Sequence, residues 1–152
     1  MYTDKQRKKL LGAWVVELGG DPVTLRRLLR AKAAPLTAAL QGEPIDEESA
    51  SKFDQALAER ERLGPAHPSR ILRGLRVDAQ LRSQDVAHEA GLTLTRMTEY
   101  ESGRVNPDLT TARALWAFWA ARYPGLHMED IFCGAVEVEQ LPTYLAQLAR
   151  AA

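Results

Sequence analysis

Two prolines and a glycine within five residues, Gly64-Pro65-Ala66-His67-Pro68, interrupt a chain that otherwise reads as helix from end to end. Proline has no amide donor and its ring clashes with the preceding turn, so no helix interior crosses this stretch. The chain of 152 residues therefore divides into an N-terminal part, 1–63, a linker, 64–68, and a C-terminal part. Each part is large enough for only a modest core. Ala, Leu and Arg are abundant while Ile, Val and Thr are scarce, which favours helices over strands. The expected fold class is all-α.

Helix starts and stops recur along both halves. Thr3 and Gln6 have the spacing of a capping box, and Leu10, Leu11, Trp14, Val15 and Leu18 line one face of a helix that Gly19-Gly20 ends. Asp21-Pro22 opens a second helix with Leu25, Leu28 and Leu29 inward. A third, over 34–41, stops at Gly42; a fourth, over 46–62, buries Ala50, Phe53 and Leu57. After the linker, Ser69 is expected to cap a helix with Ile71, Leu72, Leu75 and Ala79 inward. Ser83 is expected to cap 84–90, which Gly91 terminates, and Thr93 to cap 94–102, which Gly103 terminates. A longer helix over 109–122 carries Ala112, Leu115, Trp116 and Trp119, and a short one over 128–132 completes a unit spanning 69–133. The tail, 134–152, holds Leu141, Tyr144, Leu145 and Leu148 at amphipathic spacing, and Val136–Glu139 reads as extended without a partner strand.

Two short helices joined by a glycine turn are the signature of a helix-turn-helix. Ser83-Gln84-Asp85-Val86-Ala87 is followed by Ala90-Gly91-Leu92-Thr93, then by Met97-Thr98-Glu99-Tyr100-Glu101-Ser102-Gly103 and Asn106-Pro107. This run resembles the lambda-repressor/Cro type, the Xre family of regulators, over about residues 70–132. The resemblance implies a five-helix DNA-binding domain with 94–102 as recognition helix. It implies that Leu94, Thr95, Thr98 and Glu99 face base edges in the major groove, with Gln84 and Thr93 at helix starts that meet phosphates. Arg96, Ser102, Arg104 and Asn106 fall where backbone contacts are expected. Leu94 departs from the polar reader usual at its position and suits a thymine methyl. Glu99 suits a cytosine amino group but repels phosphates. Arg96 has a second reading, a surface ion pair with Glu89 or Glu99. Arg73 and Arg76 read as solvated.

Charge and cysteine content narrow the function classes. The net charge is zero, and 70–106 carries six Arg against five carboxylates. A basic face must then come from folding, and binding through dimers or several contacts is expected. Cys133 is the only cysteine, which rules out an intrachain disulfide and a zinc site of several Cys ligands. His67, His88 and His127 lack ligand spacing. No apolar run approaches the ~18–20 residues of a membrane span, and the polar N-terminus lacks a signal-peptide core, so the expected address is cytoplasmic. No glycine-rich phosphate loop or Cys/His constellation is present, so neither an enzyme nor a cofactor is expected.

The resemblance therefore implies a sequence-specific regulator of transcription that binds double-stranded DNA as a homodimer, more often a repressor than an activator. The tail leucines are one candidate dimer surface; packing back on their own domain is the alternative. The N-terminal half reads either as a degenerate second copy of the unit, offset by 61 residues, or as a generic four-helix domain. As a copy it has Arg30 where Gly91 stands and Pro35 inside the third helix, and its phosphate candidates are Lys5, Arg7, Lys8, Lys9, Arg26 and Arg27. Two rivals stand beside the regulator. One is an antitoxin that also binds a toxin through its N-terminal half. The other is a helix-turn-helix-shaped interaction module without DNA binding.

Overall fold

Gly64 leaves its helix with φ +83°, and the chain separates there into two units, Met1–Gly64 and Pro65–Ala152. The computed structural model describes residues 1–152 and is entirely helical, without a strand. No helix is long and apolar enough to cross a membrane.

The first unit comprises α1 (Asp4–Glu17), α2 (Pro22–Leu29), α3 (Ala33–Leu40) and α4 (Glu47–Leu63). Thr3 and Gln6 form a reciprocal capping box on α1, while Asp21 and Asp46 cap α2 and α4 through their carboxylates. Leu11, Trp14, Leu25, Leu36, Phe53 and Leu57 form the centre of the core. Leu28 does not join them; it is 38% exposed, because Leu25 and Leu29 already fill the inward side of this two-turn helix. Arg7 is also displaced from its expected role. It is buried, with Nε 2.8 Å from Asp54 Oδ1 and Nη2 donating to Asp54 Oδ2 and to the Tyr2 carbonyl. Burial pushes the Asp54 carboxyl up, but the Arg7 guanidinium and the Tyr2 amide hold it below the usual carboxylate range.

The second unit contains α5 (Pro68–Asp78), α6 (Ser83–Ala90), α7 (Leu94–Ser102), α8 (Leu109–Arg122), α9 (Met128–Phe132) and α10 (Leu141–Ala151). Its core is built on Ile71, Leu72, Leu75, Met97, Leu115 and Trp119. Two helix starts differ from expectation. α5 begins at Pro68, where a missing amide costs nothing, and His67 rather than Ser69 caps it, with Nδ1 accepting from the Ser69 amide. α6 begins at Ser83 itself, so Ser83 is the first helical residue and not its cap. Asp85 instead reaches back to accept from the Arg82 amide at 3.2 Å. This frees the Ser83 hydroxyl for another partner.

The tail belongs to the second unit's core. Leu141 and Leu145 are buried on it and Leu148 packs against it, so these leucines are not available as a dimer surface. α10 meets α5 at Gly74, where a methyl group would come within 2.7 Å of Leu141 Cδ2. Val136 and Val138 are buried too, and the Val138 amide donates to the Pro65 carbonyl at 2.8 Å. Tyr144 seals the join by donating to Asp130 Oδ2 at 2.7 Å, and Tyr123 donates likewise to Asp78 at 2.6 Å.

Gly74→Val should lower unfolding free energy by about 1–3 kcal/mol through overpacking. Combined with Leu141→Ala it should cost less than the two single changes summed, as denaturant melts would show. The tyrosines predict an alkaline effect. Burial and then the Asp130 bond push Tyr144 up to about 12, and burial and Asp78 push Tyr123 up as well. Unfolded tyrosine ionises near ~10, so the folded state holds more protons and stability falls as pH rises from about 10 towards 12. The Tyr123→Phe/Tyr144→Phe variant should show a shallower fall over that range.

Candidate nucleic-acid interface

The local sequence of α6 and α7 dictates how the two helices meet. Gly91 takes φ +73° and ψ 29°, a left-handed conformation that costs glycine little. The chain reverses there, and the Leu92 amide returns to the Ala87 carbonyl at 2.7 Å. Thr93 then starts α7, its Oγ1 accepting from the Arg96 amide at 3.1 Å. Ala87 is buried between the helices and is small enough to let them approach. Gly103, with φ +78°, closes the other end of α7, and the Arg104 amide bonds the Glu99 carbonyl at 3.1 Å.

α7 has two distinct sides. Met97, Tyr100 and Glu101 are buried. Leu94, Thr95 and Thr98 are exposed, and Leu94 is 50% accessible. Residues at i, i+1 and i+4 share one side of a helix, so these three form one outward strip, which Ser102 extends. Thr93, Arg96, Arg104 and Asn106 are also exposed, while Glu99 and Ser102 are half-buried. Gln84 is exposed on the first turn of α6. Nine of the ten residues nominated by the sequence thus lie on α7, at its cap or just beyond its end, and Gln84 lies on the helix packed against it.

Ion pairs modify this surface. Arg96 Nη1 lies 3.3 Å from Glu99 Oε2, one helical turn along, so its charge is shared within α7. The Ser102 hydroxyl donates to the Glu99 carbonyl at 3.0 Å and is not fully free for a ligand. Arg82, which sequence reasoning passed over, stands exposed at the start of α6. Its guanidinium pairs with Asp85 at 3.2 Å, and with its oxygen turned towards Arg82 the Gln84 amide accepts from it at 3.1 Å. The Arg82 guanidinium holds the Asp85 carboxyl below the usual range. The Arg82 charge is thus shared with Asp85 as that of Arg96 is with Glu99, while the exposed guanidinium edge and the Gln84 amide N–H stand together at the N-terminal end of α6, whose dipole favours an anion.

The most consequential residue missed from sequence is Glu101. It is 4% exposed, and its carboxylate accepts from Arg76 Nε at 2.5 Å and from the Ser83 hydroxyl at 3.0 Å. Arg76 also donates to the Leu81 carbonyl at 3.3 Å. Arg76 is thus not a solvated side chain. Three helices, α5, α6 and α7, meet at this one carboxylate. The residues are 25 and 18 positions apart, and no helical period links them.

No protein-family model, characterised protein or solved structure matches the chain. The surface must be read from its own chemistry. It combines a hydroxyl-bearing strip, an apolar tip at Leu94, donors at Arg82 and Gln84, and Arg104 beyond the helix end. No cluster of His, Cys, Asp or Glu suited to a metal ion is present. These groups are suited to hydrogen bonding and van der Waals contact rather than to metal-ion or covalent chemistry.

Removing one partner of the buried pair strands the other charge. Glu101→Leu alone should cost about 3–5 kcal/mol in a denaturant melt. Arg76→Met/Glu101→Leu, which removes both charges, should return to within about 1 kcal/mol of wild type, because half-exposed Ser83 can turn to water.

Proposed function

We propose that the second unit is a helix-turn-helix domain of the lambda-repressor/Cro kind, formed by α5–α9, and that the protein is a sequence-specific regulator of transcription that binds double-stranded DNA. The observation that carries this reading is the two-sidedness of α7. One side is held by Met97, Tyr100 and the Glu101 carboxylate, while the other projects Leu94, Thr95 and Thr98 outward. A helix about 10–12 Å across with its side chains fits the B-form major groove, which is about 12 Å wide. In that position Thr95 and Thr98 hydrogen-bond base edges, and Leu94 packs on a thymine methyl.

Arg82, Gln84 and Arg104 flank the strip and grip phosphates, which sets orientation without reading sequence. Only a few cations take part, so a single chain binds weakly. The protein therefore acts as a homodimer on a pseudo-palindromic site, and occupancy of a promoter by such a dimer represses. No cofactor takes part and no catalytic step follows. A second reading, a protein-interaction module of the same shape, draws support from half-exposed apolar Leu94 and from the Arg96–Glu99 pair, which lowers the free charge of α7. A mobility-shift assay at low salt separates the two, since the module leaves duplex DNA unshifted.

Selection of bound duplexes from a random pool should enrich a motif with two related half-sites. Thr95→Ala and Thr98→Ala should each weaken the enriched site by about 1–3 kcal/mol while leaving random duplex unaffected. Arg104→Ala should weaken all duplexes alike and lower the salt slope by about 1. Unchanged binding in all three variants would falsify the assignment of this face.

A further inference from the structure

The two units repeat one backbone plan. α2 and α6 start 61 residues apart, at Pro22 and Ser83, and α3 and α7 start at Ala33 and Leu94 with the same spacing. The hydrogen bonds that shape the connections repeat as well. Ala31 bonds back to Arg26 at 3.0 Å as Leu92 does to Ala87 at 2.7 Å, and Glu43 to Ala38 at 3.0 Å as Arg104 does to Glu99 at 3.1 Å. Arg30, at the position of Gly91, adopts φ +52° and ψ 42°. A left-handed conformation is costly for a side chain of this size, yet the turn is kept where the residue favouring it is absent. Inward residues match too: Leu11 with Leu72, Leu25 with Val86, and Leu36 with Met97 are all buried.

The outer face does not repeat. The positions of Arg82, Gln84, Arg96 and Arg104 hold Asp21, Val23, Pro35 and Glu43. Two arginines are thus replaced by carboxylates, one by a proline without a polar group, and the phosphate-facing amide by an exposed valine. Among the positions matching the ten candidate contact residues, Lys32, in place of Thr93, is the one cation gained; Arg26, Arg27 and Arg30, in place of Ala87, His88 and Gly91, lie elsewhere on α2 and at its C-terminal end. The outer side of α3 presents Ala33, Ala34 and Thr37 where α7 presents Leu94, Thr95 and Thr98. A phosphate backbone approaching Asp21 and Glu43 meets like charge, and alanines offer no base-edge hydrogen bond.

We infer that the first unit is a second copy of the helix-turn-helix module whose DNA-contacting face has been replaced, so that each chain engages duplex DNA through the second unit alone. This rests on the regulator reading of the second unit. One chain then covers one half-site, and a palindrome requires two chains.

Matched substitutions in the full chain test it. Thr37 and Thr98 are both exposed and occupy corresponding positions, so an acidic residue at either probes contact with phosphates. The readout is affinity for a short duplex enriched from a random pool, or for random-sequence duplex at low salt if nothing is enriched, with circular dichroism checking helix content. Thr98→Asp should lose about 100-fold in affinity, while Thr37→Asp should stay within about twofold of wild type. Gln84→Asp and Val23→Asp form a second matched pair, at helix starts where an acidic residue favours the fold. Loss in both members of a pair overturns the inference and leaves the regulator reading standing. Loss at Thr37 or Val23 alone overturns both, because the first unit is then the reader. A wild-type protein that binds neither duplex, or variants that change nothing, overturns the regulator reading and the inference with it.

Discussion

A carboxylate that cannot leave its partners holds the second unit in register. Glu101 lies inside the junction of α5, α6 and α7 and takes hydrogen bonds from Arg76 and Ser83. An ionised group at this depth is tolerated only while it is paired, so rotation of α7 about its axis would expose the unit to the cost of a stranded charge. Met97 and Tyr100 add apolar burial on the same side. The outward direction of Leu94, Thr95 and Thr98 follows from what lies behind them. The proposed DNA contact is thus a consequence of an interior arrangement, with left-handed Gly91 and Gly103 setting where α7 begins and ends.

The first unit arrives at the same helix plan by different chemistry. At the positions of Arg76, Ser83 and Glu101 it has Val15, Pro22 and Leu40, an apolar set in which Val15 is buried and Leu40 packs on the core. Its own buried ion pair, Arg7 with Asp54, ties α1 to α4 instead. Paired charges and well-packed apolar groups are near-equivalent solutions to closing such a junction, provided that the members change together. Swapping one residue at a time leaves an orphaned charge, which explains why the two sets are consistent within each unit.

Much of the helical plan was legible because caps and stops are local. Thr3, Asp21 and Thr93 each bond an amide two or three residues on, and the pattern S/T/D followed by an apolar period announces this in sequence. Where several residues compete to cap one start, locality does not decide. His67 displaced Ser69 because Pro68 takes the first helical position, and Asp85 displaced Ser83 by reaching back to Arg82. Long-range pairing left no trace in sequence. Nothing adjacent to Arg76 distinguishes a partner of Glu101 from a solvated arginine, and Arg7 was hidden among lysines in the same way. The tail's amphipathic spacing identified a buried side but not what covers it; Gly74 is the physical reason that α10 approaches α5 so closely. At the candidate site, helical periodicity sorted outward from inward residues on α7, while the sharing of Arg96 with Glu99 was one of two open readings.

The most direct test of the account is amide chemical-shift mapping of the full chain as a short duplex is added. With the proposed interface, shifts concentrate at Gln84, along Thr93–Ser102 and at Arg104, and α2 and α3 of the first unit stay unmoved. Shifts absent from α7, or centred on α2 and α3, would contradict it.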